Sequence, residues 1–343
     1  MRQIIVRDNE AGQRMDKFLQ KYMKEAPVSF FYKMMRKKNI LLNEKKCGGN
    51  EKLEKGDCIR LYLAEETLEK FGAPSSKGEE PSPYARAYEA IGALPVLWEN
   101  ECGLAVNKPA GLLSQKARPE DLSLNEWLIG YLLREKALTA QELSTFRPSV
   151  CNRLDRNTSG IVLCSKSLAG SQVLTEAIRE KSAKKFYRLF ALGRLEEPRV
   201  FTAWEKKDPA SNRVRILWEP CEGASRIRTG IRPLLTGILP GTGEVTYAEA
   251  ELFTGKTHQI RATFAAMGHP LLGDAKYGFK ARDGGRKGIP VRGQMLHACR
   301  VEFSDTPGLS RAGLSGLTLT APLPESFERV LAALKEKKDI EEN

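Results

Sequence analysis

Over residues 15–37 the apolar positions recur at helical spacing. Met15, Phe18 and Leu19 share a face, with Tyr22 one turn on, and Phe30, Phe31, Met34 and Met35 form a second stripe in FFYKMMRKK. Ser29 is placed to cap that second helix and Asn39 to stop it. ILLNEKKCGG and CIRLYL then read as short strands, with Lys55-Gly56-Asp57 as the turn between them. Further on, GIVLC (160–164) is an unbroken apolar strand. Ser167 opens a helix with the stripe Val173, Leu174, Ala177 and Ile178. KKFYRLFALGRL alternates as a strand, Phe186, Arg188 and Phe190 on one side and Tyr187, Leu189 and Ala191 on the other. In residues 254–278, Thr257 is placed to cap a helix with Ile260, Phe264 and Met267 on its buried side, and Gly268 and Pro270 end it.

The pattern divides the chain. Residues 1–63 form a small helix-helix-hairpin unit. Residues 64–84, AEETLEKFGAPSSKGEEPSPY, are rich in Glu, Ser, Pro and Gly and read as a flexible linker. Residues 85–331 carry a large strand-rich domain, and 332–343 a charged, frayed tail. No internal repeat is visible.

Charge sharpens this division. The 343 residues carry a net +12, and residues 1–63 hold 15 Lys/Arg against 8 Asp/Glu. More than half the excess positive charge thus lies in the first fifth, the footprint of a basic module for a polyanion. Charge alone does not separate RNA from DNA or an acidic membrane surface. No apolar run reaches the length of a membrane span, and MRQIIVRDNEAGQR has no signal-peptide core, so a cytosolic protein is expected. The seven cysteines are scattered, without a C-x-x-C pair, and read as reduced thiols. With three separated histidines, no metal site is expected.

Three places could carry chemistry. Asp155 lies in CNRLDRNTSG with Arg153 two residues before it, on the same side of an extended chain, and Arg156 after it. It is either a turn carboxylate in a surface ion pair or a site residue. Tyr187 is either a core tyrosine or a platform for a nucleobase, where stacking contributes about 1–3 kcal/mol. His258 and Arg261, three apart, share a helix face as an exposed pair or as the lining of an anionic site. No GxxxxGK[ST] or GxGxxG motif occurs, so no cofactor is signalled.

Taken in order, RLDxxTSG, KxY, TGxTHQIR and GHPLLGDxxYG resemble the RluA-type pseudouridine synthases. NKPAGLL (107–113), GQMLHACRVEF (293–303) and APLPESFERVL (321–331) extend the resemblance over about residues 95–331. Residues 13–63 resemble the alpha-L RNA-binding domain. The resemblance implies an α+β fold: a small alpha-L domain joined to a catalytic domain with a large, mainly antiparallel bent sheet and flanking helices. It implies Asp155 as the catalytic carboxylate, Tyr187 stacked on the target uracil, and Arg261 paired with Asp155 to keep it ionised and oriented. Arg153 would fill the place of the displaced base, with Lys256 and His258 also at the substrate. Lys33, Arg36, Lys37 and Lys38 would contact phosphates.

The implied substrate is RNA, with large-subunit ribosomal RNA ahead of tRNA, acted on by a cofactor-free monomer. An N-glycoside hydrolase and a non-catalytic ribosome-assembly protein are the rivals. The sequence departs from the usual pattern at Asn152 and Lys256, where His and Arg are frequent. Residues 224–243 look like an overlong connection, an RNA-contacting loop or a surface excursion.

Overall fold

The computed structural model describes all residues except Asp8, 73–81, 140–141, 209–212, 280–290, Arg292 and 342–343; beyond Leu334 only the backbone is described. The first unit contains β1 (Arg2–Ile5), α1 (Met15–Tyr22), α2 (Val28–Arg36), β2 (Ile40–Leu42), β3 (Lys45–Lys46) and β4 (Cys58–Leu61). Its strands form an antiparallel sheet in the order β1-β4-β2-β3. Phe18, Leu19 and Tyr22 of α1 and Phe31 and Met35 of α2 pack with Ile40, Ile59 and Leu61.

Local details differ from expectation. Pro27, held extended, precedes α2, and Ser29 lies inside its first turn. The left-handed residue that ends the segment is Lys38 (φ 60°) rather than Asn39. ILLNEKK is a hairpin, not one strand: Asn43 and Glu44 both take positive φ, the geometry of a two-residue turn. The stretch expected as a linker begins with α3 (Glu65–Lys70), because Leu68 is fully buried and Phe71 sits 4.6 Å from Phe30 between ring centroids. Residues 73–81 of that stretch lie outside the described residues. Its end enters α4 (Pro83–Ile91), capped by the Ser82 hydroxyl.

The second unit continues with β5 (Val96–Glu99), β6 (Gly103–Lys108), α5 (Leu124–Arg134), α6 (Glu142–Thr145), β7 (Ser149–Val150) and β8 (Ser159–Ser165). Next come α7 (Leu168–Arg179), β9 (Ala183–Leu192), β10 (Arg199–Asp208), β11 (Arg213–Leu217), β12 (Ser225–Leu239), β13 (Gly243–Leu252) and α8 (Gln259–Ala266). β14 (Leu296–Phe303), α9 (Pro307–Arg311), β15 (Thr318–Thr320) and α10 (Glu325–Glu341) complete it. Among the described residues these strands form one eleven-stranded sheet, along the path β11-β10-β12-β13-β9-β14-β8-β6-β5, with β7 on β8 and β15 on β14. Every pairing is antiparallel except β14 with β8. The α+β architecture with a large, mainly antiparallel sheet is the one expected.

β8 explains its unbroken apolar run: both faces are covered. Val162 and Cys164 join Trp127, Leu189 and Phe264 in one core; Ile161 and Leu163 join Leu174, Val301 and Phe303 in another. Gly160 (φ 111°) is required where β8 meets β14, since a Cβ there would lie 2.2 Å from the Ala298 carbonyl oxygen.

Two further expectations are corrected. Residues 225–239 are β12, a strand inside the sheet, not a loop. Pro233 sits at its register shift from β13, where a missing N–H is tolerated. The tail expected to fray from residue 332 continues α10, with Leu334 buried beside Phe327 and Val330.

His297 on β14 is fully buried, its Nδ1 2.9 Å from the Ser159 hydroxyl. Burial pushes its pKa down to about 4. The folded value lies below the unfolded one, so its contribution is complete well above pH 6.5 and drains away as pH falls toward 4. Unfolding free energy should therefore fall by about 2 kcal/mol more between pH 7 and pH 5 in the wild type than in His297→Leu. Equal losses in urea titrations of the two proteins would refute this.

Candidate active site

Asp155 stands on the loop between β7 and β8, and that loop is fastened by backbone contacts. The Leu163 N–H donates to Asn152 Oδ1 at 2.7 Å, and the Cys151 N–H to the Leu163 carbonyl at 2.7 Å. Asn152 thus serves as a backbone tie. The Ser114 hydroxyl donates to the Leu154 carbonyl at 2.9 Å and accepts from its N–H at 3.0 Å. Lys108, fully buried, donates to the carbonyls of Pro109, Leu112 and Arg156 at 2.9, 2.8 and 3.2 Å. Burial pushes its pKa down to about 7 against the opposing field of Asp155. The NKPAGLL segment therefore acts as the brace of the Asp155 loop.

Arg261 comes from α8 and is also buried. Its Nη1 donates to Asp155 Oδ2 at 2.7 Å, while Nε and Nη2 donate to Asp274 Oδ2 and Oδ1 at 2.7 and 2.9 Å. Asp274 is 1% exposed and Arg261 6%. Burial opposes the guanidinium charge, and hydrogen bonds to Asp274 and then Asp155 overcome it, holding the pKa above its usual value. The Tyr277 ring covers the guanidinium, 5.1 Å from its carbon. The Tyr277 hydroxyl lies 2.9 Å from His258 Nδ1 and accepts from the Val214 N–H at 3.0 Å.

His258, not Thr257, is the residue preceding α8, and it takes a left-handed conformation (φ 53°). Its Nε2 lies 3.8 Å from Asp155 Oδ2. Burial lowers its pKa, only partly countered by Asp155.

Asp155, His258 and Arg261 line an open cleft of about 700 Å³ that also includes Arg153, Tyr187, Lys185 and Lys256. Tyr187 is 6% exposed, and burial first, then Asp155, raises its phenol well above the usual range. Arg153 is exposed at the rim, and Lys256 Nζ lies 3.5 Å from the Ser225 hydroxyl. Lys33, Arg36, Lys37 and Lys38 are exposed on and just after α2, and none of them lines the cleft. Asp274, Tyr277 and Lys108 are not among the site residues that the sequence predicts. LLGD offered a signal for the first: a carboxylate directly after a buried apolar run needs a cation or several donors.

Residues 103–266 match the family of RNA pseudouridylate synthases. The ribosomal large subunit pseudouridine synthase C of Vibrio cholerae is 29% identical over 336 residues, 97% of this chain and 96% of its own. The enzyme of that name from Escherichia coli is 27% identical over 341 residues, 97% and 96% of the two chains. The human RNA pseudouridylate synthase domain containing 4 shares the fold with a TM-score of 0.52 at 19% identity, over 73% of this chain and 95% of that one. Over residues 103–266 the chain is similar to the RNA pseudouridylate synthases, and it is an enzyme of that class. It is similar over nearly its whole length to the large-subunit synthases C.

Proposed function

We propose that the protein converts specific uridines of 23S large-subunit ribosomal RNA to pseudouridine, with Asp155 as the reacting carboxylate. The observation that carries this is the Asp155–Arg261–Asp274 array opening onto the cleft that Tyr187 lines. The reaction breaks N1–C1′, turns the base, joins C5 to C1′, returns a proton to N1 and loses one from C5. It needs no redox partner or external energy. Asp155 acts at the ribose, either attacking C1′ or removing a ribose proton to give a glycal; both routes begin with the same ionised oxygen. Arg261 fixes that oxygen from one side and Tyr187 offers the base a flat surface.

A target inside a helix must leave the stack, at a cost of a few kcal/mol, which Arg153 at the rim is placed to offset by entering the gap. Lys256 and His258 border the bound nucleotide. The basic N-terminal unit supplies phosphate affinity through Lys33, Arg36, Lys37 and Lys38. In this reading the enzyme works as a cytoplasmic monomer; among the described residues no helix is long and apolar enough to cross a membrane.

Base hydrolysis would need a second carboxylate to activate water. Asp274 is the nearest candidate, but it is sealed from solvent with both oxygens on Arg261, which favours recapture of the base. Tritium release from RNA labelled at uridine C5 tests the proposal. Release is expected from large-subunit ribosomal RNA and not from a tRNA pool. Release from tRNA alone would transfer the substrate, and release from neither would sink the proposal.

A further inference from the structure

The cleft is rimmed with cations, and one of them is unlike the rest. Lys116, Arg153, Arg156, Lys207 and Lys256 are exposed, so water screens their charges. Lys185 is half-buried. It stands on β9 two residues before Tyr187, and on a strand such residues project from one face about 6–7 Å apart. Both side chains line the cleft. Gly255 makes room for the ammonium, since a Cβ there would meet Lys185 Nζ at 3.2 Å.

Among the described residues no carboxylate, carbonyl or hydroxyl reaches Lys185 Nζ, and burial lowers its pKa with no neighbouring group offsetting it. Glu251, close in sequence to Gly255, pairs with Phe186 and so projects to the other side of the sheet. A half-buried ammonium, left without a counter-ion and open to the cleft, is placed to receive an anion. Uracil and ribose carry no formal charge; the phosphodiester does. Lys185 lines the same cleft from the same strand face as Tyr187, within reach of the sugar-phosphate of a nucleotide whose base lies on that ring.

The geometry points to Lys185 as the cation that holds a backbone phosphate next to the turned-out uridine, so that the extruded nucleotide is gripped at the base by Tyr187 and at the phosphate by Lys185. This rests on the reading of the cleft as the uridine site. The contact forms only when the nucleotide has left its stack, so it favours the extruded state over initial docking. Its loss should therefore fall on the single-turnover rate more than on RNA affinity.

The test uses the full chain and RNA fragments carrying a mapped target uridine, each with one flanking phosphate replaced by an uncharged methylphosphonate. In unmodified RNA, Lys185→Met should lower the single-turnover rate about 10- to 100-fold with affinity changed less than about threefold. At one phosphate, the methylphosphonate should slow wild type by the same factor and Lys185→Met hardly further. Lys185→Gln repeats the comparison where the Met variant fails to fold. A purely structural role would leave each variant as sensitive as wild type at every phosphate, and that result overturns the assignment while the uridine-site reading stands. No pseudouridine from wild type on unmodified RNA would overturn that reading, and the assignment with it.

Discussion

Asp155→Asn should abolish pseudouridine formation, lowering the single-turnover rate on the order of 10⁴-fold or more, while RNA affinity stays within about threefold of wild type. The substitution is nearly isosteric. The Asn carbonyl oxygen can still accept from Arg261 Nη1, which now reaches Asp155 Oδ2 at 2.7 Å. The loop keeps its ties to Ser114 and Lys108, because those run through backbone atoms of Leu154 and Arg156 rather than through the carboxylate. What disappears is the negative oxygen, which both the direct-attack and glycal routes require. Filter binding and tritium release on the same RNA separate the two quantities. A variant rate within tenfold of wild type would remove Asp155 from the chemistry. Unchanged activity together with weakened binding would reassign it to substrate contact.

What could be read from the chain was what short-range pattern fixes. The stripes of α1 and α2, the Ser167 cap of α7 and the buried run of β8 all follow from local spacing, and each forms as read. β12 escaped because its sequence mixes Gly, Pro, Thr and Arg. Its strand state is imposed by β10 and β13 on either side, not by its own alternation. The continuation of α10 was hidden by the charged composition of its last residues, although Val330 and Leu334 keep helical spacing. At the site, spacing alone left Asp155 and Arg261 ambiguous. They are 106 residues apart, and only the folded chain brings them together. Asp274 and Lys108 were harder still. The braced loop is a relation between a side chain and distant backbone and the clamped guanidinium one between two side chains, and apart from the apolar run before Asp274 neither carries a local signature.

Asp274→Asn is the second large effect expected, and it acts through Arg261. Two parallel hydrogen bonds from Nε and Nη2 hold the guanidinium against Asp274, leaving Nη1 aimed at Asp155. An amide can accept one of those bonds but must turn its NH₂ toward the other donor. The buried cation then loses its fully enclosed counter-charge, a change that typically costs about 3–5 kcal/mol of stability. Arg261 is also freed to swing onto Asp155 alone, so the carboxylate is no longer held at one angle; loss of such outer contacts commonly costs about 10- to 100-fold in rate. Adding Arg261→Met to Asp274→Asn separates the two consequences. Removing the stranded charge should recover much of the lost stability, while activity falls further because Asp155 has lost its donor. Thermal unfolding and single-turnover rates of the two single variants and the double variant complete the cycle. If Asp274→Asn leaves both stability and rate near wild type, the buried pair is not what orients Arg261. If the double variant regains activity along with stability, Arg261 is dispensable to the chemistry and the carboxylate works without it.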